Sequence, residues 1–251
     1  MNRQDRDTRL VELVRARGTA RIEDLSGELG LAPSTVRRDL RRLAGNGRVV
    51  RTYGGAMAVG NGGGNAPGTG PRAYAEKRRI AAAAAALVGD GQTIAISSGT
   101  TAIEFARELA HRRDLTVITN SLDVAFVVVD QPGIQLVILG GVARPGMHSL
   151  LGHLTEQACR ELRADVLFMG IGAVSLERGL MNDYMPEILT DRALRGIAGS
   201  VVVIADAAKF ETLAPALVFG LEEVDTIVTD SGIDPAVVRE LSARGIRVIV
   251  A

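Results

Sequence analysis

The sequence lacks tryptophan, contains one cysteine and has few aromatic residues, which make up 3% of its 251 positions. The single cysteine, Cys159, excludes an internal disulfide framework and fits a reducing compartment. With so few aromatic rings, the core must be packed mainly by alanine, valine, leucine and isoleucine. The chain is long enough for one large domain, or for a small domain and a medium one, and its apolar content of 47% is sufficient for a core.

Long hydrophobic runs and metal-ligand motifs are missing from the sequence as well. The longest uncharged apolar run, residues 80–88, is too short to span a bilayer. The first nine residues alternate arginine and aspartate, so we expect no secretory signal, no membrane partner and a cytoplasmic protein. His111, His148 and His153 show no metal-ligand spacing, and Cys159 lies in a helical stretch typical of a small core residue. We therefore expect no metal, no cofactor and no catalytic residue.

Charge is balanced over the whole chain but is distributed unevenly. Residues 1–57 contain 12 arginines and 7 acidic residues, a balance of +5. The remainder contains 17 basic and 22 acidic residues, a balance of −5. A basic amino-terminal unit joined to an acidic body is typical of a nucleic-acid-binding protein that carries a second function.

Residues 33–43 are the stretch around which the first domain is organised. Val36, Leu40 and Leu43 form one apolar face of a predicted helix, and arginines flank it. By itself this pattern fits a solvated helix equally well. Two shorter predicted helices precede it, the second ending at Gly30, and a strand pair over residues 48–56 follows it as a wing. The candidate DNA-binding residues are Ser34, Thr35, Arg37, Arg38, Arg41, Arg42, Arg51 and Tyr53.

This stretch resembles a known family. The run Thr35-Val36-Arg37-Arg38-Asp39-Leu40, followed by Leu43, Gly47, Arg51 and Gly54-Gly55-Ala56, is similar to the winged helix-turn-helix of the DeoR family of bacterial transcriptional regulators, over residues 5–57. The resemblance implies operator binding, with Thr35, Arg37 and Arg38 contacting bases or phosphates. Arg41, Arg42, Arg51 and Tyr53 would mostly contact the DNA backbone. Ala32 stands where the family usually has a serine helix cap.

A glycine-rich segment follows the first domain. Residues 58–70 contain six glycines, one proline and no charge, a composition typical of a flexible linker. We therefore predict a DNA-binding domain over 1–57, a linker over 58–70, and an effector-binding and oligomerisation domain over 71–251.

The remainder of the chain alternates strand-like and helix-like segments. Its apolar, β-branched runs predict a parallel sheet covered on both faces, an α/β fold. The predicted strands are 93–96, 115–118, 134–139, 166–169, 201–205, 226–228 and 246–250. Helices are predicted over 102–110, 124–129, 187–197 and 235–243, among others.

Small, polar or glycine residues follow five successive predicted strands. Since ligands of such sheets bind beyond the carboxyl ends of the strands, these segments predict one site for an anionic ligand. The first of them leads into a helix whose N–H groups can bind an anion, although a simple Ser/Thr helix cap has the same letters. The candidate effector-binding residues are Ser98, Gly99, Thr100, Thr101, Asn120, Gly140, Gly141, Arg144, Gly170, Asp206 and Lys209.

These segments also resemble the DeoR family, in its carboxy-terminal effector domain, over about 72–230. That domain is similar in fold to ribose-5-phosphate isomerase and acyl-CoA transferase-like proteins, and the resemblance implies a phosphorylated sugar or related metabolite as effector. One departure is Asp191, which stands where the family usually has a lysine and which would disfavour a doubly charged phosphate if it faces the site.

The sequence thus predicts a transcriptional regulator, a repressor of a sugar or related carbon-metabolism operon, acting as a homodimer or homotetramer. The alternative from another class is a sugar-phosphate isomerase with an accessory DNA-binding domain, for which Asp206, Asp183 and Glu187 are the candidate carboxylate bases. A third possibility is a DNA-binding scaffold whose second domain binds no metabolite.

Overall fold

A computed structural model describes residues 3–17, 19–45, 48–52, 54–58 and 71–251. The chain divides into two compact units, residues 1–75 and 76–251. Tyr53, Gly47 and residues 59–70 of the predicted linker lie outside the described residues. The domain and linker bounds therefore stay predictions. In the described part of the chain, no helix combines the length and the apolar character needed to cross a bilayer.

The helices are numbered in chain order. They are α1 (Arg3–Arg17), α2 (Ile22–Leu29), α3 (Pro33–Gly45), α4 (Pro71–Ala85), α5 (Thr100–Glu108), α6 (Leu122–Val128), α7 (His153–Arg160), α8 (Ile188–Ile197) and α9 (Pro235–Ala243). Short 3₁₀ turns lie at Met185–Glu187, Ala207–Phe210 and Leu221–Glu223.

The strands are numbered in the same way. They are β1 (Thr19–Arg21), β2 (Val49–Thr52), β3 (Gly55–Ala58), β4 (Thr93–Ile96), β5 (Leu115–Thr119), β6 (Ile134–Ile138), β7 (Val142–Ala143), β8 (Leu150–Leu151), β9 (Ala164–Met169), β10 (Ala173–Ser175), β11 (Gly179–Asn182), β12 (Ala198–Ile204), β13 (Ala216–Phe219), β14 (Thr226–Thr229) and β15 (Arg247–Val250).

The first unit packs α1, α2 and α3 around one small apolar core. The predicted apolar face of α3 is confirmed, because Val36, Leu40 and Leu43 are buried in this core. Gly30 ends α2 with φ = 63°, a left-handed conformation that glycine adopts without strain, and its N–H donates to the carbonyl of Ser26. The chain then re-enters a helix at Pro33 and completes the predicted helix-turn-helix.

A three-stranded antiparallel sheet, in the order β1-β3-β2, completes the first unit. The predicted wing is confirmed by β2 and β3, whereas β1 was not predicted from the sequence. Gly55 lies opposite Arg21, and a Cβ atom there would be 2.2 Å from the carbonyl oxygen of Ala20. The strand pairing therefore requires glycine at position 55.

The second unit is built on a seven-stranded sheet in the order β15-β14-β12-β9-β4-β5-β6. Every neighbouring pair in it is parallel, and its strands are the seven that the sequence predicts. Successive residues face opposite sides: Ile94 and Ile96 enter one apolar core, and Ala95 enters the other. The predicted parallel sheet with two covered faces is confirmed.

Two smaller antiparallel elements flank this sheet and were not predicted from the sequence. One is a three-stranded sheet in the order β10-β11-β13, and the other is the hairpin of β7 and β8. The hairpin follows the end of β6 directly, and the three-stranded sheet begins just after the end of β9. Both elements therefore leave the large sheet at the edge where the predicted site lies.

Candidate functional site

Helix α3 presents its arginine flank to solvent. Ser34, Arg37, Arg38 and Arg41 are exposed, and Thr35 is half-buried in the first turn. In the described part of the chain no carboxylate pairs with Arg37, Arg38 or Arg41. These guanidinium groups are therefore available to a phosphate or a base edge. Arg51 on β2 is exposed in the same way, and Tyr53 lies outside the described residues.

Arg42 differs from its neighbours because it is engaged inside the unit. Its Nη1 donates to Asp7 Oδ2 at 2.6 Å, and its Nη2 donates to the other oxygen of Asp7 and to Asp39 Oδ1 at 3.3 Å. Arg6 Nε donates to Asp39 Oδ2 at 2.7 Å. These bonds tie α3 to α1, so Arg42 has a structural role whether or not it also contacts DNA.

The Asp39 carboxylate lies at the centre of this network, with its side chain 4% exposed. Burial alone would raise its pKa, but the hydrogen bonds and charges of Arg6 and Arg42 outweigh burial and lower the pKa of Asp39. The ionised form is therefore the one that the fold stabilises.

In the second unit, the five predicted strand ends belong to five adjacent parallel strands, in the order β12-β9-β4-β5-β6. Chain order reverses at β4, because β5 and β6 lie on one side of it and β9 and β12 on the other. Such a switch point opens a crevice at the carboxyl ends of the two diverging strands. The sheet thus brings the predicted effector residues to one edge.

The β4 end lies at the middle of this edge. The N–H of Gly170, after β9, donates to Ser97 Oγ at 3.0 Å, which joins the two strands at the switch point. Gly99 has φ = 131° and precedes α5, which begins at Thr100. The first N–H groups of α5 have no partner within the helix and carry the positive end of its dipole. This end of α5 is suited to an anion.

Arg144 is held by groups that the sequence did not place beside it. Its Nη1 donates to Glu187 Oε2 at 2.6 Å, and its guanidinium carbon lies 4.0 Å from the ring centre of Tyr184. Ser98 Oγ donates to the other oxygen of Glu187 at 3.2 Å. Glu187 therefore connects the β4 end with the β7–β8 hairpin. A phosphate that binds Arg144 must share it with Glu187 or displace that carboxylate.

Gly141 allows the hairpin to approach α7 closely. Thr155 Oγ1 donates to the carbonyl of Gly140 at 2.5 Å. A Cβ atom on Gly141 would lie 2.4 Å from Thr155 Oγ1 and 2.7 Å from the carbonyl oxygen of Leu151. Gly140 has nothing within 4 Å of such an atom. Close packing therefore requires glycine at 141 and not at 140.

Asn120 lies buried after β5 and keeps one unsatisfied acceptor. Its Nδ2 donates to the carbonyl of Leu150 at 3.2 Å, whereas its Oδ1 has no hydrogen-bond partner. Since a buried polar atom without a partner is costly, this oxygen is a candidate acceptor for a ligand hydroxyl.

Asp206, after β12, forms a buried ion pair with Lys77 of α4, with Nζ and Oδ2 2.8 Å apart. The other oxygen of Asp206 is buried without a partner. Lys209, at the next turn, is half-buried, and no described acidic side chain pairs with it. Of the two lysines in the chain, Lys77 is therefore neutralised by Asp206, and Lys209 is the one available to an anion.

Asp191 is enclosed rather than open to solvent. Asn182 Nδ2 donates to Asp191 Oδ2 at 2.7 Å, and Asn182 Oδ1 accepts the N–H of Gly172 at 2.8 Å. Burial raises the pKa of Asp191 well above its usual range, and the charge of Glu187 raises it further. The chain therefore uses Asp191 to fix Asn182 beside the loop after β9.

Sequence reasoning missed Lys77, Asn182 and Tyr184, and it considered Glu187 only as a catalytic base. Cys159 is buried, and burial followed by the charge of Glu156 raises the pKa of its thiol to about 11, which fits a core residue rather than a nucleophile. The described residues contain no group of three or more His, Cys, Asp or Glu side chains able to hold a metal ion.

Two family models match the chain. The model described as "DeoR C terminal sensor domain" matches residues 72–231, and "DeoR-like helix-turn-helix domain" matches residues 6–61. The two matches together include the candidate residues of both units.

Curated relatives align along nearly the whole chain. "Transcriptional repressor AccR" of Agrobacterium fabrum is 34% identical over 91% of this chain and 90% of its own. "Glycerol-3-phosphate regulon repressor" of Escherichia coli is 29% identical over 92% of both. A solved ribose 5-phosphate isomerase from Methanocaldococcus jannaschii covers 53% of each chain at 23% identity, with a TM-score of 0.40.

Proposed function

The chain belongs to the DeoR family of transcriptional regulators, and we propose that it represses an operon for sugar or related carbon metabolism under the control of a phosphorylated metabolite. It is a DNA-binding regulator rather than an enzyme. The relatives thereby decide against the isomerase alternative. Asp206 and Glu187, two of the proposed bases, are each engaged by a cationic side chain.

The observation that carries the proposal is the contrast between the arginines of α3 and Arg144 of the second unit. On α3, Arg37, Arg38 and Arg41 are exposed without an acidic partner, as DNA contacts require. In the second unit, Arg144 is half-buried against Glu187 and Tyr184 at the end of the sheet where ligands bind. The exposed arginines of α3 suit a long polyanion, and the single Arg144 suits one small anion.

We propose that α3 enters the major groove, with Thr35, Arg37 and Arg38 at base edges or phosphates. Arg41 and Arg51 contact the DNA backbone, as does Tyr53. Two such helices on repeated half-sites require a homodimer or a homotetramer, which the second unit would provide.

The effector would use the anion-binding end of α5 for its phosphate, with Ser98, Arg144 and Lys209 as donors. Its hydroxyl groups would donate to the unsatisfied oxygens of Asn120 and Asp206. Binding that moves Glu187 away from Arg144 changes the connection between the β4 end and the hairpin, and so shifts the population of two states.

A DNA-binding titration with the full chain and the regulatory region of its own operon tests the proposed DNA-binding role of α3. Arg38→Ala should weaken binding at least 10-fold, whereas Arg9→Ala, a matched exposed arginine on α1, should leave it unchanged. Equal effects of both variants would contradict the assignment of α3.

A thermal-shift screen with sugar phosphates tests the proposed control by a phosphorylated metabolite. At least one compound should raise the melting temperature of wild-type protein and alter its affinity for the operator. The Arg144→Ala variant should lose both responses. A regulator that binds its operator and responds to no phosphorylated compound would contradict the effector class and leave the DNA-binding assignment intact.

A further inference from the structure

The outer edge of the large sheet at β6 carries no charged residue. The N–H of Leu139 donates to the carbonyl of Thr119 at 2.9 Å. Because N–H groups alternate in direction along a strand, those of Leu136 and Ile138 point away from the sheet. No other strand in the described residues pairs with this side of β6. Exposed edges of this kind are normally protected by charge, by proline or by a covering element.

Large apolar side chains are exposed beside this edge. Phe126 is 58% exposed and Val129 is 54% exposed, on and just after α6, which packs against β6. Ile138, within β6, is 46% exposed, and Val142, just beyond it, is 75% exposed. Of the five phenylalanines, three are buried and Phe210 is half-buried. An exposed aromatic ring among aliphatic neighbours is typical of a protein interface.

We infer that this surface, formed by Phe126, Val129, Ile138, Val142 and the outward side of β6 and called here the β6 edge surface, is covered by a second copy of the chain. The inference rests on the proposed function, because a helix-turn-helix protein reads repeated half-sites as a dimer or tetramer. In a two-fold contact the same surface meets itself. The residues that form this surface are uncharged, with Asp130 exposed at its margin beside Val129. Such a surface suits a two-fold contact, in which the two β6 strands would run antiparallel.

Two other sheet edges of the second unit, at β15 and β13, suit self-association less well. At β15, Arg247 is exposed, so a contact there would remove one cation of each copy from water. At β13, the guanidinium of Arg192 donates to the carbonyls of Val218 at 2.7 Å and Leu217 at 3.0 Å. That edge is therefore already capped by a cation within the same chain.

The β6 edge surface is continuous with the effector site. Val142 pairs with Leu151 in the β7–β8 hairpin, and Arg144 follows it two residues later. The N–H of Leu150 donates to the carbonyl of Asn120 at 2.7 Å. A ligand that binds Arg144 and displaces Glu187 therefore acts on a hairpin whose first strand lies in the interface. This provides a route from effector binding to the spacing of two DNA-binding units.

Sedimentation of the full chain over a wide concentration range tests the inference. Wild-type protein should sediment at no less than twice the chain mass of 26.4 kDa. Phe126→Glu/Val142→Glu places like charges across the two-fold contact and should weaken self-association by about 30-fold or more, as expected for a hot spot. The matched control is Met185→Glu/Leu189→Glu, at positions 65% and 60% exposed outside this surface, and it should keep the wild-type mass.

Amide hydrogen exchange provides a readout that does not depend on a variant. The N–H groups of Leu136 and Ile138 should exchange slowly in the wild-type assembly and rapidly in Phe126→Glu/Val142→Glu, while buried β4 amides stay protected in both. If the variant keeps the wild-type mass, or if the β6 amides exchange rapidly in the wild-type oligomer, the proposed interface is wrong but the proposed oligomer is not. If the wild-type protein is a monomer, both the interface and the proposed oligomer are wrong.

Discussion

The clearest test of which α3 arginines stabilise the fold and which contact DNA compares two adjacent arginines. Arg42→Ala removes the bonds to Asp7, which tie α3 to α1, and the bond to Asp39 within α3. Arg41→Ala removes an exposed side chain with no described acidic partner. Both changes insert the same residue into the same helix, so helix propensity contributes similarly to each. The sequence predicted a backbone contact for both residues, and the structure makes them separable.

The expected magnitude follows from the geometry. A hydrogen bond to a charged group contributes about 1.5–3 kcal/mol when buried, and an exposed ion pair contributes about 0–1 kcal/mol. The Arg42 side chain is 26% exposed and that of Asp7 is 11% exposed, so the network lies between these limits. We expect Arg42→Ala to reduce the unfolding free energy of the first unit by about 2 kcal/mol and Arg41→Ala to change it by less than about 0.5 kcal/mol.

Two measurements on the full chain separate the roles. Hydrogen exchange of α1 and α3 amides reports the opening free energy of the first unit. The salt dependence of operator binding reports phosphate contacts, each of which contributes about 0.9 to the slope. Arg41→Ala should reduce the slope by about that amount, and Arg42→Ala should preserve it. If the Arg41→Ala and Arg42→Ala variants have equal opening free energies and lose the same amount of salt slope, a structural role for Arg42 is refuted.

Three further predictions concern single groups. Because arginines lower the pKa of Asp39, its stabilisation is complete above the ordinary carboxyl pKa of about 3.9 and is lost as pH falls through the folded value. In acid unfolding followed by circular dichroism, Asp39→Asn should therefore show a weaker pH dependence than wild type. Gly141→Ala should lower the melting temperature in calorimetry by about 5 °C or more, and Gly140→Ala by less than about 1 °C, since only the first meets backbone and side-chain atoms. Glu187→Gln should increase the affinity for inorganic phosphate in a calorimetric titration by releasing Arg144, whereas Arg144→Gln should decrease it; no change in either variant would remove this pair from the site.

The fold was largely predictable because its strands are buried on both faces. Apolar, β-branched runs such as 93–96 and 226–228 leave a strong signal when each side chain enters one of two cores. The short strands β10, β11 and β13 leave only a weak signal in the sequence. They are three or four residues long, and β13 pairs with β11 across more than thirty intervening residues. A local pattern cannot report such a pairing.

The positions of the site segments were also predictable, whereas their electrostatics were not. Parallel strands must end at one edge, so five polar strand ends had to meet there. The partners of the charged side chains come from distant parts of the chain: Lys77 reaches Asp206 across 129 positions, and Arg144 reaches Glu187 across 43. Periodicity indicates which face of an element is buried, but it carries no information about which carboxylate a cation will meet.

Asp191 shows how such a contact changes an interpretation. Read from the sequence, an acidic residue in place of the family's lysine suggested a site that repels phosphate. In the structure its carboxyl is buried against Asn182, and burial, followed by the charge of Glu187, favours its protonated form more than in an ordinary aspartate. The described hydrogen bond of Asp191 is to Asn182 and not to Arg144. The carboxylate that competes with an effector phosphate is therefore Glu187, which contacts Arg144 directly, and the consequence of Asp191 is the fixed position of Asn182 and Gly172 at the end of β9.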